Sequence, residues 1–257
     1  MLLAFDVGNT NIVLGVFDGE KLIRSWRMKT DRNKSVDEYG MLIHQLFEYD
    51  KLDMKAVTDV IISTVVPPVL YTLQHLSRKY FRTKAIVVGP GVKTGMVIKY
   101  DNPKALGSDR IVNAVAAYHK YGGPLIIIDL GTATTFCAVN EKGEYLGGTI
   151  APGLKISSEA LTEKTSKLPK VEIEEPGKVI CKNTIESIQA GLVYGHVGLV
   201  ENVVGRMKKE LAPDGGPVTV VATGGMAGMI SDSTSVIDHI ERDLTLDGLR
   251  LIYKKNR

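Results

Sequence analysis

A chain of 257 residues with 44% hydrophobic and 24% charged side chains is long enough to bury one large core or two ordinary ones without a disulfide framework. The net charge of +3 comes from lysines and arginines scattered along the chain, which excludes the basic stripe of a nucleic-acid-binding protein. Because no apolar run is long enough to span a bilayer and the start MLLAFDVGNT does not resemble a signal peptide, we expect a cytoplasmic protein with no membrane partner.

The opening part of the chain predicts a meander of three strands followed by alternating helices and strands. Apolar runs bounded by turn residues indicate strands at 2–7, 11–17 and 22–28. Ser35 stands where the first helix needs a cap. The remaining elements of this part extend a βαβ pattern: helix 35–48, strand 60–63, a helix after Pro67 and Pro68, and strand 85–88.

A second copy of the opening pattern begins at residue 125. The run LLAFDVGN from Leu2 is matched 123 residues later by LIIIDLGT from Leu125, so an apolar strand again leads into Asp-x-Gly. The hairpin that follows is repeated too, because FDGEKL from Phe17 is echoed by NEKGEYL from Asn140 with one residue inserted. Repeats of this length indicate a duplicated domain. Since YGGP at 121–124 breaks the intervening helix, we place the two domains at 1–121 and 122–257.

The second half is expected to continue with a hairpin, two helices and one further strand. The hairpin ends near Ile150, the helices cover 156–162 and 184–211, and the strand covers 218–222, followed by more helix. The chain is therefore assigned to the α/β class, with a central mixed sheet in each half.

The long helix over 184–211 carries a broader apolar surface than one sheet contact needs. Gly191, Gly195 and Gly198 would let a second helix approach it closely, and an isologous dimer is the commonest use of such a surface. We therefore expect a homodimer. The alternative is a monomer in which this helix is buried and the glycines are breaks in it.

Each Asp-x-Gly element places a carboxylate at the end of a strand, followed by a tight turn with small hydroxyl or amide side chains. Such a turn can direct N–H groups at phosphate oxygens while the carboxylate holds a cation. A single copy is explained equally well as an ordinary hairpin. Two copies that open two similar halves instead favour a phosphate clamp, with ATP held in the cleft between the halves.

Two other glycine-rich stretches differ in their meaning. Thr223–Gly225 follows the last predicted strand and permits close backbone approach to a flat ligand such as adenosine, although the stretch by itself is typical of a plain βα connection. GPGVKTG from Gly89 is not a Walker loop, because Val92 stands where that motif requires glycine. We interpret it as a loop that shapes the site.

The stretch Gly107–Arg110 lies between a loop rich in turn residues and the apolar helical run IVNAVAAY. Asp109 can act as the general base for a substrate hydroxyl, and Arg110 can bind an anionic group bidentately. The competing interpretation is that Ser108 or Asp109 simply caps the helix. Beside an ATP clamp, a kinase still needs a carboxylate for the acceptor hydroxyl, which favours the functional interpretation.

The chain as a whole resembles the type III pantothenate kinases, of the acetate and sugar kinase, Hsp70 and actin superfamily. The resemblance covers nearly the full length and rests on an ordered set of motifs: DVGNT, GPGVKTGM, GSDR, DLGTATT, GGTIAPG, TSKLPKV, ATGG and LTLDGLRLIY. Ser108 departs from the alanine expected in that loop. The resemblance implies duplicated ribonuclease H-like domains of the actin-like ATPase type and ATP-dependent phosphorylation of pantothenate to 4′-phosphopantothenate, the first committed step towards coenzyme A.

The resemblance also implies roles for individual residues and cofactors. Asp109 would be the catalytic proton acceptor, and Asp129 would belong to a monovalent cation site for K⁺ or NH₄⁺, beside Mg²⁺ on the nucleotide. Residues implied to bind ATP are Asp6, Val7, Gly8, Asn9, Thr10, Asn11, Ile12, Val13 and Thr132. Residues implied to line the pantothenate pocket are Tyr100, Gly107, Ser108, Asp109, Arg110 and Thr184.

Two other functions fit the same fold. A kinase of this superfamily that acts on a sugar or a short carboxylic acid would share the clamps, since these do not fix the acceptor. A regulatory nucleotide switch related to transcriptional accessory factors would leave Asp109 dispensable and would need a basic face, against which the scattered charge argues.

Overall fold

The computed structural model describes residues 1–257, which form two compact units. The first unit contains residues 1–95, 101–116 and 244–257, and the second contains 96–100 and 117–243. The domain division at residue 121 concerns the duplication of the sequence and stays a prediction. In the structure, in contrast, residues 244–257 pack in the same unit as residues 1–95.

A five-stranded mixed sheet forms the centre of the first unit. Its strands are β1 (Leu2–Val7), β2 (Asn11–Asp18), β3 (Lys21–Lys29), β4 (Asp59–Thr64) and β5 (Ile86–Val87). The order across the sheet is β3-β2-β1-β4-β5. The first three strands are the predicted antiparallel meander, whereas β4 and β5 run parallel to β1.

Helices α1 (Val36–Tyr49), α2 (Pro67–Phe81) and α7 (Leu244–Lys255) cover this sheet. Ser35 caps α1 as predicted: its hydroxyl accepts the N–H of Glu38, and the Glu38 carboxylate accepts the N–H of Ser35. The main core holds Phe5, Tyr39 and residues of α1 and α2, all excluded from solvent. Helix α7 contacts β1, β2 and β4, which explains why the C-terminus belongs to this unit.

A six-stranded sheet forms the centre of the second unit. Its strands are β6 (Val97–Ile98), β7 (Leu125–Leu130), β8 (Ala133–Val139), β9 (Glu144–Pro152), β10 (Thr219–Thr223) and β11 (His239–Ile240). In the order β11-β10-β7-β8-β9-β6, the five strands β9-β8-β7-β10-β11 repeat the first sheet strand for strand. The predicted duplicated α/β fold with a mixed sheet in each half is confirmed.

The remaining helices are α3 (Ser108–Tyr121), α4 (Leu154–Lys164), α5 (Thr184–Leu211) and α6 (Ala227–Asp232). Helix α5 has the predicted bounds, and buried valines along it pack into the core of the second unit. The sequence pattern missed β6 and β11, because two-residue strands carry no periodicity. No helix combines the length and apolar character needed to cross a membrane.

Candidate active site

The first turn, which we define as residues 6–13, joins β1 to β2. Asp6 is half-buried near the end of β1, and the N–H of Gly8 donates to the carbonyl oxygen of Asn11 over 3.0 Å, which closes the turn tightly. The side chains of Val7 and Ile12 lie in the core. Any ligand contact by these two residues must therefore come from their backbone.

A segment after β3 braces the first turn. The N–H of Thr30 donates to the carbonyl oxygen of Thr10 over 3.0 Å, and its hydroxyl donates to the carbonyl oxygen of Gly8 over 2.7 Å. Beyond it, Nη2 of Arg32 donates to Oδ1 of Asn9 over 3.3 Å. Both Arg32 and Asn9 are exposed. Sequence reasoning missed this brace, since nothing in the spacing of residues 30–32 points to a turn twenty residues earlier.

Two buried serine hydroxyls tie the start of α3 to β4, the strand that pairs with the strand of Asp6. Asp6 pairs in register with Ser63 in the parallel strands β1 and β4. Oγ of Ser63 lies 2.9 Å from Oγ of Ser108, which also accepts the N–H of Thr64 over 3.2 Å and donates to its carbonyl oxygen over 3.1 Å. The start of α3 is therefore fixed to the carboxyl end of β4, beside the strand that carries Asp6.

Asp109 follows as the second residue of α3 and is half-buried. Its Oδ1 accepts the N–H of Arg110 over 2.8 Å, and a Cβ atom on Gly107 would collide with the same oxygen. Burial raises the pKa of Asp109, and the N–H and charge of Arg110 oppose this shift only in part. A carboxylate with a raised pKa is a better proton acceptor than an exposed one.

The capping interpretation of this stretch does not describe the geometry. Ser108 is already helical, and its hydroxyl bonds to β4 rather than to a helix N–H. The Asp109 carboxylate accepts from the adjacent residue, whereas a cap accepts from two or three residues ahead. The apolar run of β4 ends in two polar residues, Ser63 and Thr64. These residues were the sequence signal for the contact with Ser108, and sequence reasoning missed it.

The second turn, which we define as residues 129–133, joins β7 to β8. Asp129 is half-buried, as Asp6 is, and the N–H of Gly131 donates to the carbonyl oxygen of Ala133 over 3.2 Å. Gly224 has a φ of +97° and lies so close that a Cβ atom on it would stand 2.7 Å from Oδ1 of Asp129. Thr132 is exposed at the tip. The adenosine turn expected at 223–225 therefore contacts the second turn directly.

The second turn carries Asp129, the residue predicted to hold a monovalent cation. The carbonyl oxygens of Gly131 and Thr132 lie against Gly153: a Cβ atom there would collide with both, and the Thr132 oxygen accepts the N–H of Gly153 over 3.2 Å. Oxygen atoms are the ligands that K⁺ prefers, and Asp129 supplies one carboxylate. Asp6 offers the one carboxylate with which Mg²⁺ is commonly held alongside substrate phosphates. No group of three or more His, Cys, Asp or Glu side chains comes together in the structure.

The other predicted pocket residues lie in the second unit. Tyr100 packs edge-on against Tyr145, with ring centroids 6.3 Å apart, and stands above Gly147. Thr184 is exposed as the first residue of α5, whose cap is Asn183. It borders a surface cavity of about 680 Å³, which is also lined by Leu161, Leu168, Ser187, Ile188 and Gly191.

The second unit buries a histidine beside the end of β7. His196 of α5 lies with its Nε2 2.9 Å from the hydroxyl of Thr134, which is directly opposite Leu130 in the β7–β8 pair. Burial lowers the pKa of His196, so the ring is held neutral. The pair supports the strand end beside Asp129.

Solved structures with the same architecture are many, although their sequences are distant. A conserved protein described as a Baf family transcriptional activator from Campylobacter jejuni is 17% identical, with a TM-score of 0.60 and coverage of 99% of this chain and 98% of that one. The ethanolamine utilization protein EutJ from Carboxydothermus hydrogenoformans is 14% identical, with a TM-score of 0.58 and coverage of 97% and 89%. The ROK hexokinase from Thermus thermophilus is 13% identical, with a TM-score of 0.50 and coverage of 100% and 99%.

The repeated sheet order and these likenesses define a duplicated α/β fold of the actin-like type. Within it, the family model of type III pantothenate kinase matches residues 2–206, and the chain belongs to that family. The protein is a kinase that uses ATP to phosphorylate pantothenate in coenzyme A biosynthesis.

Proposed function

We propose that Asp109 is the proton acceptor for the primary hydroxyl of pantothenate, which becomes the phosphate ester of 4′-phosphopantothenate. The observation that carries this assignment is that Ser108 contacts Ser63, the register neighbour of Asp6, so the partly buried carboxylate of Asp109 follows at the sheet edge where the first turn begins. Its raised pKa suits a base that must take a proton as the oxygen attacks phosphorus.

The nucleotide is proposed to contact the two turns. The first turn is closed by the bond from Gly8 to Asn11 and presents the exposed Asn9, and the second presents the exposed Thr132. Backbone contacts suffice for Val7 and Ile12, whose side chains are occupied in the core. The proposed ATP-binding set comprises Asp6, Val7, Gly8, Asn9, Thr10, Asn11, Ile12, Val13 and Thr132.

Two cations complete this proposal. Mg²⁺, held by Asp6 together with the phosphates, would neutralise charge on the triphosphate. Asp129 would belong to the site that holds K⁺ or NH₄⁺, which adds a further positive charge. The protein would orient the cations and the triphosphate, and it would hold the Asp109 carboxylate where it can accept the proton of the hydroxyl.

The acceptor pocket is proposed to include Tyr100, Gly107, Ser108, Arg110 and Thr184 besides Asp109. Arg110 is buried beside Asp109 and is suited to a bidentate bond with the carboxylate of pantothenate. Ser108 acts through its hydroxyl bonds to β4, which hold the loop in place.

A coupled assay that follows ADP release tests the activity and its cations together. Purified protein should phosphorylate pantothenate with ATP only when Mg²⁺ is present, and K⁺ or NH₄⁺ should raise the rate above that in Na⁺. Acetate and common sugars serve as control acceptors. Equal turnover of these controls would show that the acceptor assignment is wrong.

We also propose a cytoplasmic homodimer built on α5. A Cβ atom on Gly191, Gly195 or Gly198 would meet no atom within 4 Å, so this face of the helix is uncovered within the chain. Ile185 near its start is 52% exposed. A second copy of α5 would cover these positions at close range, and Thr184 would then contribute to the pocket of the partner subunit.

Light scattering coupled to size exclusion tests the assembly. Because its Cβ would meet open space, Gly195→Gln should leave the fold intact yet shift the protein to the monomer mass and lower its activity. Gly228→Gln on α6 is the matched control, since its Cβ also meets nothing within 4 Å and it lies outside α5. Wild-type protein that is fully active at the monomer mass would end the proposal.

A further inference from the structure

The two turns assigned to phosphate binding carry no positive charge of their own. The stretches DVGNTNIV from Asp6 and DLGTATT from Asp129 contain neither lysine nor arginine and instead contribute one carboxylate each. A triphosphate bound there needs compensating charge beyond a single Mg²⁺, and phosphoryl-transfer enzymes commonly supply it with a lysine or arginine.

Arg32 is a cation that the fold bonds to a side chain of the first turn. Its Nη2 donates to Oδ1 of Asn9 over 3.3 Å, and Asn9 is the exposed residue at the tip of that turn. The bond uses one of five N–H groups on the guanidinium, so the rest of the fork remains for an anion. Because Oδ1 of Asn9 accepts this bond, the NH₂ group of the Asn9 amide points away from Arg32 and is a second donor for the anion.

The backbone that carries Arg32 is held firmly even though the side chain is exposed. Thr30 bonds to both Gly8 and Thr10 in the first turn, as described above. On the other side, the N–H of Asp31 donates to the hydroxyl of Tyr39 over 2.9 Å, and that hydroxyl donates to the carbonyl oxygen of Asp31 over 2.7 Å. Tyr39 itself is completely buried in α1. The position of Arg32 relative to the first turn is therefore built into the fold.

We propose that Arg32 is a nucleotide-binding residue, whose guanidinium contacts the oxygens of the ATP triphosphate held by the first turn. The inference rests on the proposed role of residues 6–13 in binding ATP. In other phosphate loops a lysine of the loop supplies the positive charge. Here Arg32 would supply it from the segment after β3.

The test compares Arg32→Gln and Arg32→Lys with Arg78→Gln, which removes the same charge from an exposed position in the last turn of α2. Arg32→Gln should weaken ATP binding, measured by calorimetry without pantothenate, by about 10- to 100-fold, the usual range for a lost charge-assisted hydrogen bond. Arg32→Lys should lose less, and Arg78→Gln less than about twofold. The KM for pantothenate should change little in all three, while the KM for ATP follows the binding constant.

Binding of adenosine separates a phosphate contact from a general defect. Adenosine lacks phosphate, so its affinity should be the same in wild type and in Arg32→Gln, and unchanged melting temperatures should show that the variants fold. Unaltered ATP affinity in Arg32→Gln, or an equal loss in Arg78→Gln, would overturn the inference. Because the readout is ATP binding, it stays decisive even if the assay with pantothenate assigns another acceptor.

Discussion

Gly224 offers the most direct check on how the second turn is built. The residue has a φ of +97°, and a Cβ atom there would stand 2.6 Å from the carbonyl carbon of Leu130 and 2.7 Å from Oδ1 of Asp129. A side chain at positive φ costs about 1–2 kcal/mol. Forcing atoms into a packed region adds about 1–3 kcal/mol, because the backbone of β7 cannot move aside cheaply. We therefore expect Gly224→Ala to lower the free energy of unfolding by about 2–5 kcal/mol.

Gly215→Ala is the matched control for this substitution. Gly215 also has a positive φ, +80°, but a Cβ atom there would meet nothing within 4 Å. Its cost should be the conformational part alone, about 1–2 kcal/mol. Urea unfolding of both variants measures the difference, which isolates the collision with β7. Equal destabilisation of the two variants would refute the reasoning.

The same pair of variants reports on Asp129. A Cβ atom at residue 224 must displace the carboxylate that is proposed to hold the monovalent cation. Gly224→Ala should therefore need more K⁺ for half-maximal activation than wild type, whereas Gly215→Ala should respond to K⁺ as wild type does. An unchanged K⁺ response in Gly224→Ala, in protein that is still folded, would show that Asp129 does not hold the activating ion.

Three further predictions concern the buried polar groups. Asp109→Asn should lower kcat by roughly 10²–10⁴-fold. Because burial raises the pKa of Asp109, keeping this carboxylate ionised in the folded protein lowers the stability of the fold. The variant should therefore have a higher melting temperature than wild type at pH 8, and the difference should shrink as the pH is lowered. Ser63→Ala and Ser108→Ala should each cost about 1–3 kcal/mol by urea unfolding, and the double variant less than their sum, because each alone leaves a buried partner unpaired. Since burial lowers the pKa of His196, wild type should lose stability as the pH falls below about 6.5, and His196→Gln should lose less.

Each of these predictions has an outcome that contradicts it. An Asp109→Asn variant with near-normal turnover and a lower melting temperature would show that Asp109 has a structural role instead of a catalytic one. Additive costs in the serine double variant would mean that the two hydroxyls do not interact. Melting curves for wild type and His196→Gln that shift in parallel between pH 7.5 and 5.5 would exclude His196 as the acid-sensitive group.

The sequence alone determined the duplicated architecture and most of its elements. The 123-residue repeat of an apolar strand before Asp-x-Gly predicts two like sheets, and the strand orders agree with it. The cap at Ser35 and the bounds of α5 were also readable, because capping and helical periodicity are local properties of neighbouring residues. The residues expected to carry chemistry were likewise nominated from short motifs and from the family resemblance.

Which of these motifs meet depends on how the strands and helices pack in three dimensions. Asp6 and Asp109 lie far apart in the sequence, and the parallel pairing of β1 with β4 together with the Ser63–Ser108 bond places them at one sheet edge. Arg32 reaches Asn9 through a brace that no local pattern encodes. The reason is physical: a helix or a cap follows from neighbouring residues, whereas the partner of a polar side chain depends on which strands lie side by side once the core has packed.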